Sequence, residues 1–259
     1  MREILFLARN RLEFTQAAFT ALKENTEWER VDRLVAYDDG SKDGTSHWLS
    51  EEIVAMNRSG DYPPAIMHHT KKAGPVAIMR EHAATTSAET FAKVDNDSCM
   101  PKGWLSIMAD VLERSPHVDL LGVEVGMAMA PTYQWWNGEY RAEMCRNIGG
   151  IGLMRTSVFR KLPTMSADGR FGFTEWQHTH LPSRAWLAPA LPVVLLDRLP
   201  FEPWISLSRS YVQQNWQRPW PTWEPRGMEW AYQWFTQGNE EVPDEKAPAG
   251  RRNHQRLPR

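Results

Sequence analysis

The chain has 259 residues, enough for one large or two small domains, and at 42% hydrophobic residues it can bury a substantial core. With 30 Lys and Arg against 32 Asp and Glu the formal charge is −2, which excludes a globally basic nucleic-acid binder and confines any polyanion contact to a local patch. Two cysteines, Cys99 and Cys145, exclude a disulfide framework and a four-cysteine zinc site, and the longest apolar run, 187–196, is broken by two prolines, so no membrane span is expected and the chain reads as cytoplasmic.

Residues 3–8, Glu3 followed by five apolar residues, predict a short buried strand, followed by the polar turn Arg9-Asn10-Arg11 and a helix with Phe14, Ala18 and Leu22 on one face. The unit repeats. Residues 34–37 predict a strand and 38–45 an acidic, glycine-rich loop, after which Ser46 is expected to cap a helix carrying Leu49, Ile53 and Met56. A third strand at 65–67, the turn Ala73-Gly74-Pro75 and a helix over 76–89 follow, then a fourth strand at 91–94. A helix over 104–114 and a fifth strand at 120–125 close this part. Alternating strands and helices predict an α/β fold with a mostly parallel central sheet and helices on both faces, in which ligands bind beyond the carboxyl ends of the strands.

Beyond residue 125 the pattern loosens. Residues 126–146 read as irregular and hold Trp135 and Trp136, 148–154 as a glycine-rich strand, and 156–162 as a short helix. Six of the 13 tryptophans lie between Trp204 and Trp234, and 200–225 holds five prolines, so a Trp/Pro-rich extension over 201–245 is expected to wrap as an irregular layer. Residues 246–259 carry Lys246, Arg251, Arg252, Arg256 and Arg259 without an acid, and read as a disordered basic tail.

Two acidic constellations fall at predicted strand ends. Asp38-Asp39-Gly40-Ser41 with Asp43-Gly44-Thr45 can accept hydrogen bonds from ribose hydroxyls or a base N–H, or can simply be a solvated turn. Asp95-Asn96-Asp97 places two carboxylates one residue apart, a pattern that suits one hard cation bridging two phosphates but equally suits a capping turn before Pro101. Both loops would open on one crevice.

In their order these residues resemble the family 2 glycosyltransferases of the GT-A fold. Arg9-Asn10-Arg11 with Thr15 is similar to the family's Asn-Arg turn after the first strand, and Asp38-Asp39-Gly40-Ser41 to its Asp-Asp-Gly-Ser loop. Arg80 after Ala73-Gly74-Pro75 is placed like the arginine of its Ala-Arg-Asn segment, Asp95-Asn96-Asp97 is similar to its Asp-X-Asp metal motif, and Gly149-Gly150 through Met154-Arg155-Thr156-Ser157-Val158-Phe159 to its acceptor-side Gly-Gly segment. The resemblance spans roughly residues 3–200.

It implies a UDP- or GDP-sugar donor held by Arg9, Asp39, Lys72, Arg80 and Asp95, with Asp39 near the base and Asp95 near the ribose. It further implies Mn²⁺ or Mg²⁺ on Asp97, neutralising the diphosphate together with Arg80 or Lys72. On this reading 1–125 is the nucleotide-sugar-binding half, 126–200 the acceptor-binding and catalytic half, 201–245 a cap and 246–259 a tail.

At 172–180 the sequence departs from the family pattern. Glu175 fits the first position of the usual carboxylate pair, but Trp176 stands where an Asp is usual, so Glu175 is the expected base, with Asp168 next in line. A carboxylate that takes the proton of an acceptor hydroxyl supports single-displacement transfer with inversion. His178, and with less support His180, could ligate the metal or bind a phosphate, or could be polar surface. Trp135, Trp136 and Trp176 are the expected acceptor platforms, whereas Trp28, Trp48 and Trp104 fall on predicted helices or their edges. The expected acceptor is a protein, a glycan or a small molecule, with DNA, modified or not, the least favoured. A nucleotidyl transferase lacks its glycine-rich basic loop here, and a non-catalytic nucleic-acid or carbohydrate binder is the rival reading.

Overall fold

Six consecutive buried residues make β1 (Arg2–Ala8) a strand covered on both faces. Ile4, Phe6 and Ala8 enter one apolar cluster, and Leu5 and Leu7 enter the other, as the two-residue period of a strand requires. In the computed structural model, the residues described are 1–123, 140–144, 151–161, 183–188, 191, 193–196, 202–204 and 206–207.

On one face, α1 (Leu12–Asn25), α2 (Thr45–Ser59) and α4 (Trp104–Arg114) pack against the sheet through Phe14, Phe19, Leu22, Leu49, Ile53, Trp104 and Met108. On the other, α3 (Pro75–Thr85) and α5 (Thr156–Arg160) contribute Val76, Met79, Ala83 and Phe159. Each large side chain so buried stabilises the fold by about 1.5–3 kcal/mol relative to leaving it exposed. Trp104 is fully buried and its indole N–H donates to Thr26 Oγ1 at 3.0 Å, so it is a core residue.

The strands β2 (Arg33–Asp38), β3 (Ala65–His69), β4 (Thr90–Asp95), β6 (Leu120–Gly122), β7 (Arg141–Met144), β8 (Gly152–Arg155) and β9 (Arg184–Ala188) complete an eight-stranded sheet of order β3-β2-β1-β4-β8-β6-β9-β7. From β3 to β4 all neighbours are parallel. Beyond β4 the sheet is mixed, because β8 runs antiparallel between β4 and β6, and β7 runs antiparallel to β9. The short strands β5 (Ser98–Cys99) and β10 (Val194–Leu195) pair separately.

Several local expectations shift. The helix expected to start after Ser46 begins one residue before it, at Thr45, where Asp43 Oδ1 accepts both the Thr45 amide and hydroxyl. The helix expected to reach 89 ends at Thr85, because the Thr86 hydroxyl turns inward to Glu3 and its carbonyl is taken by Arg160. A strand, β7, lies within the segment read as irregular. Trp204, in the expected cap, packs edge-on to Phe14 with ring centroids 5.4 Å apart. Glu175, His178, His180, Asp168, Trp135, Trp136, Trp176, the Gly149-Gly150 pair, most of 201–245 and all of 246–259 lie outside the described residues. Among the described residues no helix is long and apolar enough to cross a membrane.

Candidate functional site

Because β2 and β4 flank β1 on opposite sides, the chain reverses its winding direction at β1 and leaves a crevice at the carboxyl ends of these strands. The loops after β1, β2, β3 and β4 meet there. In the first, Asn10 (φ 52°) and Arg11 (φ 62°) are both left-handed, a conformation costing a non-glycine residue about 1–2 kcal/mol. The neighbouring loops hold it in place. Ser41 Oγ accepts the Asn10 amide at 2.7 Å, and Asn10 Oδ1 accepts the Lys42 amide at 2.8 Å. Asn96 Nδ2 donates to the Asn10 carbonyl at 2.9 Å and to Thr15 Oγ1 at 2.8 Å. Asn96, 4% exposed, therefore faces inward and joins two loops, while the carboxylates on either side of it are left to the crevice.

Asp39 sits directly after β2. Its Oδ1 accepts the Ala73 amide at 2.6 Å and the Thr70 hydroxyl, and its Oδ2 accepts the Gly74 amide at 3.0 Å. The residue expected near the base thus clips the loop between β3 and α3. Gly40 beside it has φ 77°, and a Cβ there would stand 3.3 Å from the Lys72 amide nitrogen, so glycine is required by both conformation and space. Asp38 accepts the Ser41 amide at 3.3 Å, and Tyr37 stacks on His68 with centroids 4.8 Å apart, its hydroxyl pushed up to about 12 chiefly by burial.

Asp95 and Asp97 end β4 and begin its loop. Both Asp95 oxygens accept from Lys93 Nζ, at 2.6 and 2.7 Å, and the Lys93 side chain is only 2% exposed. Asp97 Oδ2 accepts from Arg11 Nη2 at 2.9 Å and Oδ1 from Ser98 Oγ at 3.0 Å. Burial raises the Asp95 pKa and the Asp97 charge adds to it, against the pull of Lys93. Burial works the same way on Asp97, but the Arg11 charge and the hydrogen bonds from Ser98 and Arg11 outweigh it and hold that carboxyl below its usual range.

The aspartates keep side-chain exposures of 30% and 19%, and among the described residues no group of three or more His, Cys, Asp or Glu could form a protein-only metal cage. Two carboxylates on an open crevice fit a hard cation that brings phosphate oxygens and water as its remaining ligands.

Of the cations named from the sequence, Arg9 directly follows β1 and is half-buried, Lys72 is exposed in the loop clipped by Asp39, and Arg80 is half-buried in α3. Sequence reasoning named Arg11 only as part of the turn after the first strand, without its partner Asp97, and missed Lys93. Lys93 was findable, since a lysine inside an apolar strand, two residues before an Asp on the same face, has a charge that must be met.

The model of glycosyl transferase family 2 matches residues 4–176 of the chain. No curated protein matches it. The crystal structure of S. aureus TarS 1–349 aligns at 15% identity with a TM-score of 0.51, covering 73% of this chain and 58% of that one. The same TarS fragment in complex with UDP gives a TM-score of 0.52 at 15% identity over the same shares, 73% and 58%. GalNAc-T7 with UDP, GalNAc and Mn²⁺ aligns at 10% identity with a TM-score of 0.50, covering 82% of this chain and 48% of that one. The chain thus spans less than two thirds of the length of each, and shares with them the GT-A fold. With the family's model running from the first strand well past β8, the chain belongs to glycosyl transferase family 2.

Proposed function

We propose that the chain transfers a sugar from a nucleoside diphosphate donor, a UDP- or GDP-sugar, to an acceptor hydroxyl, with inversion. The observation that carries this reading is the convergence of Asp39, Asp95 and Asp97 on the crevice at the carboxyl end of β1 in a chain of this family. Structures sharing the fold were solved with UDP, and in one case with Mn²⁺ as well, which supports the donor class.

Asp39 shapes the base end of the pocket through the 70–74 loop and offers its remaining lone pair to a base N–H, and Asp95 faces the ribose. Asp97, with His178, would hold Mn²⁺ or Mg²⁺, which when bound neutralises the charge that grows on the departing diphosphate. Arg9, Lys72 and Arg80 supply further positive charge around that leaving group. Glu175 takes the proton of the acceptor hydroxyl as its oxygen attacks the anomeric carbon. Donor binding belongs to 1–125 and acceptor binding with catalysis to 126–200, where Trp135, Trp136 and Trp176 offer apolar faces. The acceptor is a protein, a glycan or a small molecule; DNA is disfavoured by the chain's net charge of −2.

A panel of UDP- and GDP-sugars with Mn²⁺ tests the reading. Thermal stabilisation by one donor and its slow hydrolysis are expected; stabilisation by none, with an oligonucleotide or a glycan alone binding, would establish the non-catalytic binder instead.

A further inference from the structure

Asp97 has a cation on it that belongs to the protein. Arg11 Nη2 lies 2.9 Å from Oδ2, and the two side chains are 14% and 19% exposed, so solvent screens the pair less than a surface pair. Arg11 is set in that position from several sides. Its backbone is left-handed at φ 62°, its carbonyl accepts the Thr15 amide at 2.9 Å and hydroxyl at 3.1 Å, its guanidinium lies 5.2 Å from the centroid of the Phe14 ring, and Nη2 also reaches Asn96 Oδ1 at 3.4 Å. With Ser98 on Oδ1, both oxygens of Asp97 are already engaged.

A divalent cation approaching Asp97 therefore meets a guanidinium already paired with the same carboxylate, and the two repel. A diphosphate changes this balance, because it offers the planar guanidinium a bidentate anionic partner of higher charge within the same crevice. Resting on the assignment of Asp97 as the metal-binding carboxylate, we infer that Arg11 is the resident counter-ion of Asp97 and exchanges that carboxylate for the diphosphate of the donor. Arg11 thereby makes cation and diphosphate bind together, and lowers the affinity for the cation alone in proportion to the fraction of molecules in which Asp97 is free of Arg11. In this role Arg11 is a donor-binding residue whose effect is read in binding.

The experiment titrates Mn²⁺ into the full chain, following free Mn²⁺ by electron paramagnetic resonance, with and without saturating UDP. Wild type, Arg11→Gly, Arg11→Gln and Asp97→Asn are compared. Glycine accepts φ 62° better than any side chain and so preserves the turn, while glutamine keeps a hydrogen-bond donor without the charge. In both Arg11 variants Mn²⁺ alone binds about tenfold tighter than in the wild type, and the factor by which UDP tightens it falls by about the same amount. Wild-type values for both quantities in Arg11→Gly and Arg11→Gln, with binding lost in Asp97→Asn, overturn the counter-ion role and leave the metal assignment standing. Wild-type Mn²⁺ binding in Asp97→Asn overturns the metal assignment and this inference with it.

Discussion

Asp39 at the end of β2 accepts the Gly74 amide at 3.0 Å, joining the carboxyl edge of the sheet to the first turn of α3. One carboxylate thus fixes the loop that carries Lys72.

Asp39→Asn replaces a group that only accepts by one that also donates, so at least one of the Thr70, Ala73 and Gly74 donors loses its partner. Stability is expected to fall by about 1–3 kcal/mol in urea unfolding, with UDP affinity falling as well. Unchanged affinity would remove Asp39 from the donor pocket.

Gly40 and Gly60 have nearly equal left-handed φ, 77° and 75°, but only Gly40 has neighbours within reach of an added Cβ. Gly60→Ala should cost the backbone strain alone, about 1–2 kcal/mol. Gly40→Ala should cost more and should also weaken UDP binding, because the Lys72 amide must move. Equal effects of the two on melting and on UDP titration would show that the close approach is unimportant.

At the opposite, amino end of β1, the buried Glu3 accepts from Thr86 Oγ1 at 2.7 Å, with His82 Nε2 at 3.0 Å and Arg33 Nη2 at 2.5 Å. Burial works against its charge, but the hydrogen bonds from His82 and Thr86 and the charges of His82 and Arg33 outweigh it and set the folded pKa below the ordinary value of 4.5. Between these two values the unfolded chain binds more protons than the folded one, so this stability is present above the unfolded pKa and lost as pH falls through the folded pKa. Glu3→Gln should cost about 3–5 kcal/mol at pH 7 and flatten the acid limb of the stability curve, leaving UDP affinity at pH 7 unchanged. A wild-type acid limb in the variant would contradict the assignment.

Glu175→Gln should retain donor affinity and lower turnover by roughly 10² to 10⁴. Near wild-type turnover would move the base elsewhere, with Asp168 tested next.

The first half of the fold was readable because its signals are local. Continuous apolar strands, the stripe Trp104-Leu105-Met108-Leu112 and Pro75 at a helix start each carry their own periodicity or stereochemistry, and α4 runs over the predicted 104–114. The mixed half was not readable, since β8 lies between β4 and β6 by pairing residues about 60 positions apart in the case of Lys93 and Gly152, which no local pattern encodes. In the site, the carboxylates stood out as residue types at strand ends. What meets them did not: Arg11 reaches Asp97 across 86 positions, and only the fold brings the pair together.

The central claim is tested most directly by calorimetric titration of UDP into wild type and Asp97→Asn, each with Mn²⁺ and with EDTA. Wild type should bind UDP at least tenfold tighter with Mn²⁺ than with EDTA, and Asp97→Asn should show no such difference while remaining folded, with a lower melting temperature because Arg11 loses its carboxylate partner. A Mn²⁺ effect of wild-type size in a folded Asp97→Asn, or no UDP binding by the wild type in either condition, would contradict the account.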